Sequence, residues 1–261
     1  MTPGEAAAAA PRVYPREVQT FWPWRLIGGI ILPWLHLVAR IEWIHRDRLP
    51  QTGPFVMAAN HFTNLDVLTM IYTIWGMGRL PRFLAKESIW KVPVVGKVMT
   101  DSGQIPVNRR GGSNAGTIAA AEKIIADGSA VVVYPEGTLT REPDLWPMRG
   151  KAGAARIALE SGVPVYPVAH WGEQEIMPRY GALRLFRPRR DVRILIGEPV
   201  DLSQWRGRPI TGTLLAEATE AIMAAITVLL EELRGEKAPA VRYDPAAHGQ
   251  SEHGKQGHDG V

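Results

Sequence analysis

Short apolar runs that stop at polar or glycine-containing breaks recur along the chain, and segments with helical periodicity follow most of them. FVMAA (55–59) ends at Asn60-His61 and precedes a helical pattern over 66–77; PRFLAK (81–86) precedes a broken helix; QIPVNR precedes a helix closed by Gly128. SAVVV runs into the loop YPEGT, GKAGAARIALESG reads as a helix ended by Gly162, and VPVYPVAH and DVRILIGEPV read as strands. Such alternation predicts an α/β fold, a mixed and mostly parallel sheet flanked by helices. Polar residues at strand ends then gather in the crevice where open α/β sheets bind ligands.

Around this domain, placed at 49–234, two segments differ. An apolar run over 26–39, interrupted by Pro33 and bracketed by Arg25 and Arg40, lies among Trp22, Trp24, Trp34 and Trp43. It is shorter than the ~20 residues that span a bilayer, and Trp and Arg at its ends suit the headgroup level. Residues 1–48 are therefore expected to be a tail with interfacial membrane-anchor helices; the alternative is a Trp-rich helix buried on the main domain. A last apolar stripe (Leu214, Leu215, Ala218, Ile222, Ala225, Ile226, Leu229, Leu230) predicts a core helix, and 235–261, rich in Gly, His, Pro and charge, reads as a disordered tail.

The formal charge of +4 favours an anionic partner such as a membrane surface or a phosphorylated substrate. The arginines of RYGALRLFRPRRDVR accompany no nucleic-acid-binding motif, so no nucleic acid is expected. The absence of cysteine excludes disulfides and thiolate chemistry. With no H-E-x-x-H pattern or clustered His/Cys set, no metal is expected, and no G-x-S-x-G elbow supplies a nucleophilic serine.

His61 and Asp66 stand five apart, so they would not share a face within one helix. With His61 in the turn and Asp66 in the first helical turn, the carboxylate can orient the imidazole as a general base. The alternative is that Asn60 or Asn64 caps the helix while His61 bonds backbone. Arg109 and Arg110 end the strand QIPVNR, and Glu136, Gly137 and Thr138 end the next, followed by Arg141, Arg149 and Lys151. Arginine forks and glycine-turn N–H groups suit a phosphate, and Glu136 suits a polyol hydroxyl; the competing reading is a surface salt-bridge patch.

The ordered blocks N-H-x-x-x-x-D (60–66), G-Q-I-P-V-N-R (103–109), Y-P-E-G-T (134–138) and V-P-V-Y-P-V (163–168) resemble those of the PlsC-type glycerophospholipid acyltransferases, over about 53–199. The resemblance implies transfer of an acyl group from acyl-CoA or acyl carrier protein to the free hydroxyl of 1-acylglycerol 3-phosphate, giving phosphatidic acid, without a cofactor. It also implies a cell-membrane location, peripheral or monotopic on the cytoplasmic face, against anionic lipids. His61 would be the base and Asp66 its orienter; Arg109 would bind the acceptor phosphate, with Glu136, Gly137 and Thr138 shaping the acceptor site. Leu139 follows Thr138 where the family usually has arginine, which leaves Arg141, Arg149 and Lys151 as candidates for that role. Glycerol 3-phosphate, another lysophospholipid or a glycolipid are alternative acceptors, and a non-catalytic basic membrane-binding module is the alternative of another class.

Overall fold

Strand β2 (Phe55–Ala59) is buried along its whole length because its alternate side chains enter two cores. Phe55, Met57 and Ala59 pack on one face with Leu35, Met70, Ile74 and Trp75; Val56 and Ala58 pack on the other with Ala155, Ile157, Leu215 and Ile226. The computed structural model describes residues 26–107, 123–124, 126–184 and 189–250.

Among these residues the elements run α1 (Leu32–Val38), β1 (Ala39–Ile44), β2, α2 (Asp66–Trp75), β3 (Pro81–Lys86), α3 (Val95–Asp101), β4 (Ile105–Val107), β5 (Ala130–Val133), α4 (Gly153–Ser161), β6 (Val165–Trp171), β7 (Arg190–Ile196) and α5 (Gly212–Arg234), with short 3₁₀ turns between. The seven strands are ordered β1-β7-β6-β2-β5-β3-β4. All neighbours pair in parallel except β6 and β7. This is the mixed, mostly parallel sheet expected from the sequence. Since β1 and β7 oppose the other five, the start of β1 lies at the edge where β2 and β6 end: Ala39 pairs with Arg190, and Trp171 with Arg193.

Two expectations change. The apolar run from 26 forms a π-helical turn (Ile27–Ile31) and then α1, but the residues after it are an edge strand, so the sheet begins at Ala39 rather than after residue 48. Residues 235–250, expected to be disordered, pack back on the domain. There Arg242 binds Glu220 at 2.8 Å and Thr227 at 2.9 Å, and Tyr243 stacks on His248. The helix expected before Gly128 falls mostly outside the described residues, as do Arg109 and Arg110.

Helix α5, at 23 residues, is long and apolar enough to cross a bilayer, but its stripe is buried on the sheet: Leu214, Leu215, Ala218, Ile222, Ile226 and Leu230. Thr211 caps it by accepting the Leu214 N–H at 3.2 Å.

Candidate active site

The turn from β2 into α2 is closed by one oxygen. Asp66 Oδ2 accepts the backbone N–H groups of Phe62 (2.8 Å) and Thr63 (3.0 Å) and lies 3.1 Å from His61 Nδ1. Neither Asn60 nor Asn64 caps the helix; Asn60 turns to β6, where its amide donates to the His170 carbonyl and its oxygen accepts the His170 N–H. Asp66 is fully buried, whereas the His61 side chain is 15% exposed. With Nδ1 turned to the carboxylate, Nε2 makes no hydrogen bond among the described residues. That is the arrangement a general base needs: one nitrogen held as N–H donor, the other available for a proton.

The His61 ring stacks on Tyr134, with centroids 4.0 Å apart and planes 18° from parallel. Burial, then the charges of Asp66 and Glu173, push the Tyr134 phenol well above its ordinary value, so it is neutral. The main chain of His61 is fixed on both sides: its N–H donates to Glu136 Oε1 at 2.9 Å and its carbonyl accepts the Thr140 N–H at 2.6 Å.

Glu136 thereby takes a role different from the expected one. It is fully buried, and its second oxygen accepts the Met148 N–H at 3.1 Å, so both oxygens serve the scaffold rather than a substrate hydroxyl. Burial pushes its carboxyl up to about 8, against hydrogen bonds from Met148, His61 and Thr140, which favour the charged form, and with Asp66 adding to the rise. Gly137, beside it, has φ +73°, and a Cβ there would come within 3.1 Å of the Lys151 side chain, so the turn is suited to glycine. Thr138 is half-buried in the same loop.

Arg141, Arg149 and Lys151 meet in one cleft of about 510 Å³ between the loop after β5 and α5, with Glu136 in its wall. Leu139, at the position where the family's arginine is usual, is buried. The cleft is mixed in charge, since Glu220 and Asp244 also line it and Arg149 pairs with Asp244 at 3.2 Å. Sequence reasoning missed Arg179, which donates to the carbonyls of Thr140 (2.8 Å) and Glu142 (2.6 Å) and so holds the loop behind Glu136. It also missed His170 and Glu173, both fully buried behind Asp66. His170 had a signal: it ends an apolar strand at the same edge as His61. Asp66, His170 and Glu173 bring three potential ligand atoms within 4.8 Å of one another. Asp66 Oδ2 is contacted by three nitrogens and His170 Nε2 by a backbone carbonyl, while Asp66 Oδ1, His170 Nδ1 and Glu173 Oε2 make no hydrogen bond among the described residues.

The sequence profile of the family described as Acyltransferase matches residues 40–171, half of the chain, with both dyad residues inside the match. The chain belongs to the acyltransferase family. It is 33% identical over 156 residues to the chloroplastic 1-acyl-sn-glycerol-3-phosphate acyltransferase BAT2 of Brassica napus, covering 59% of this chain and 43% of that one. It is 29% identical over 202 residues to the 1-acyl-sn-glycerol-3-phosphate acyltransferase of Bacillus subtilis, covering 76% and 92%. The chain spans about two-fifths of the length of the plastid and algal relatives it matches. The crystal structure of the 1-acyl-sn-glycerophosphate (LPA) acyltransferase PlsC from Thermotoga maritima has the same fold, at a TM-score of 0.55 and 22% identity over 86% of this chain and 88% of that one.

Two buried groups give the site a pH signature. Glu136 is raised from 4.5 to about 8; the His170 imidazole, lowered by burial but raised more by Glu173 and Asp66, goes from 6.5 to about 9. Each binds its proton more tightly folded than unfolded, so each contribution is full below the unfolded value and is lost as pH rises through the folded one. Thermal denaturation across pH 5–10 should therefore show Tm falling between mildly acidic pH and about 9, with Glu136→Gln flattening the earlier part of the fall. A Tm that rises over that range would contradict these assignments.

Proposed function

We propose that this acyltransferase moves a fatty acyl group from an acyl thioester to the free hydroxyl of 1-acylglycerol 3-phosphate, giving phosphatidic acid. The observation that carries the reading is the dyad: His61 Nδ1 turned to a buried carboxylate at 3.1 Å, Nε2 available, and the pair at the ligand-binding edge of the sheet. The acceptor oxygen attacks the thioester carbonyl while its proton passes to Nε2. The new C–O bond forms, the C–S bond breaks, and the thiolate of CoA or acyl carrier protein leaves; with a thiol pKa of about 8.5 it needs little acid help. Both substrates are bound together, no acyl-enzyme forms, and the chemistry needs no cofactor. Arg109 holds the acceptor phosphate, and Arg141, Arg149 and Lys151 are further candidate cations for it.

A panel of acceptors with one acyl-CoA tests this. Lysophosphatidic acid should be acylated fastest, ahead of glycerol 3-phosphate and a phosphate-free monoacylglycerol. Arg109→Ala should cut kcat/KM for lysophosphatidic acid ~10-fold or more and leave the donor KM nearly unchanged, as for loss of a charge-assisted hydrogen bond. Equal rates on the phosphate-free acceptor would overturn the phosphate assignment. No transfer to any acceptor would favour a non-catalytic module.

The acceptor is a lipid, and we infer that the same sheet edge faces the cytoplasmic leaflet. The segment entering β1 there exposes Leu26, Ile30 and Leu37, the last by 73%. The connection leaving β3 exposes Val92, Val94 and Val95 between Lys91 and Lys97. Val94 sits at φ 66°, ψ −53°, the centre of a γ-turn closed by the Val95 N–H on the Pro93 carbonyl at 2.7 Å. Apolar side chains flanked by cations suit an anionic bilayer surface. Sedimentation with vesicles containing phosphatidic acid should fall when Leu37, Val92 and Val94 are changed together to Ser; undiminished binding would count against this face.

A further inference from the structure

Behind the dyad lies a second acid–base pair that the reaction as written does not use. His170, at the end of β6, is gripped by the residue before His61. Its N–H and carbonyl bond the Asn60 side chain at 3.0 and 3.1 Å, and its Nε2 donates to the Asn60 carbonyl at 2.7 Å. The same Nε2 is 3.9 Å from Asp66 Oδ2, while Nδ1 faces Glu173 Oε1 at 3.1 Å as an ion-pair contact. Thr69 Oγ1 is 2.9 Å from Glu173 Oε1 and 3.0 Å from the main-chain carbonyl of Asp66. Asp66, His170 and Glu173 are all fully buried.

We propose that His170 and Glu173 are positioning residues, a buried ion pair whose cation balances the carboxylates around Asp66 and so keeps Asp66 ionised against His61. This rests on the reading of His61 as the general base. The elements around His170 supply little other charge. Strand β7 places Ile194 opposite it, and the Phe62 ring lies against it at 4.9 Å. From the end of β5 come Tyr134, neutral, and Glu136, whose buried carboxyl holds its proton to about 8. That leaves Asp66 and Glu173, two desolvated carboxylates sharing one site, and like charges there force uptake of a proton unless a cation intervenes. Burial alone would strip His170 of its proton; the charges of Glu173 and Asp66, with the bonds to Glu173 and Asn60, hold it to about 9.

His170→Gln is the direct test, since the amide still offers a donor to the Asn60 carbonyl but carries no charge. With lysophosphatidic acid and an acyl-CoA, the acidic limb of kcat/KM against pH should move up by about one pH unit, a ~10-fold loss near pH 6.5 that recovers at alkaline pH. Adding Glu173→Gln removes the surplus carboxylate and should return the limb toward its wild-type position. An unmoved limb, or a pH-independent loss that Glu173→Gln does not repair, would overturn the proposal and leave His170 a packing residue. ¹⁵N spectra of histidine-labelled wild-type protein and of His61→Ala provide a readout independent of turnover: His170 should carry protons on both nitrogens from pH 6 to 8, and a neutral ring would refute the ion pair. Normal turnover by His61→Ala would instead refute the base assignment while leaving the spectroscopic result intact.

Discussion

His61→Ala is expected to lower kcat by on the order of 10²–10⁴ while both substrates still bind, the loss typical of a removed general base. The protein should remain folded. The interactions that fix this turn use the His61 main chain, through Glu136 Oε1 and Thr140 N–H, or belong to Asp66, and all of these survive the truncation. What disappears is a partly exposed ring stacked on Tyr134, so added imidazole should restore part of the rate. The comparison to make is turnover per folded molecule, with the folded fraction taken from thermal or denaturant unfolding. Near-wild-type turnover would end the catalytic reading and leave His61 as a structural element of the turn.

The dyad was legible because its logic is local. A strand that ends in Asn-His and a helix that starts at Asp66 put the two side chains at one corner, and the five-residue spacing makes sense only across that corner. Glu136 was misread because its role depends on a contact with His61, 75 positions away, which nothing in its own neighbourhood announces. A carboxylate in a Gly-containing loop after a buried strand looks solvent-facing; here it points back under the next strand end. Strand β1 was missed for a different reason. Among the described residues it pairs only with β7, and its half-exposed pattern (ARIEWI) continues an apolar stretch that already reads as helix. The order of 235–250 shows as particular contacts, such as Arg242 with Glu220 and the Arg149 N–H on the Tyr243 carbonyl, rather than as any periodicity. The parallel strands were the easiest part, because burial on both faces leaves continuous apolar runs.

Asp66→Asn should impair the enzyme severely while preserving its shape, and the hydrogen bonds say why. Oδ2 accepts from Phe62, Thr63 and His61, whereas Oδ1 is buried with no hydrogen-bond partner among the described residues, so the asparagine oxygen can take the first place and the amide NH₂ the second. In the serine-protease triad the corresponding change costs about 10⁴ in kcat because the amide selects the wrong imidazole tautomer. Here two backbone N–H groups keep the oxygen turned toward His61 Nδ1, so the correct tautomer survives and only the charge is lost. A loss on the order of 10²–10³ is then expected, the scale of one preorganised electrostatic contact to a charge that develops in the transition state. Unchanged kcat in a folded Asp66→Asn protein would show that the carboxylate serves only the turn, and a loss of 10⁴ or more would indicate that the amide has flipped and taken His61 into the wrong tautomer.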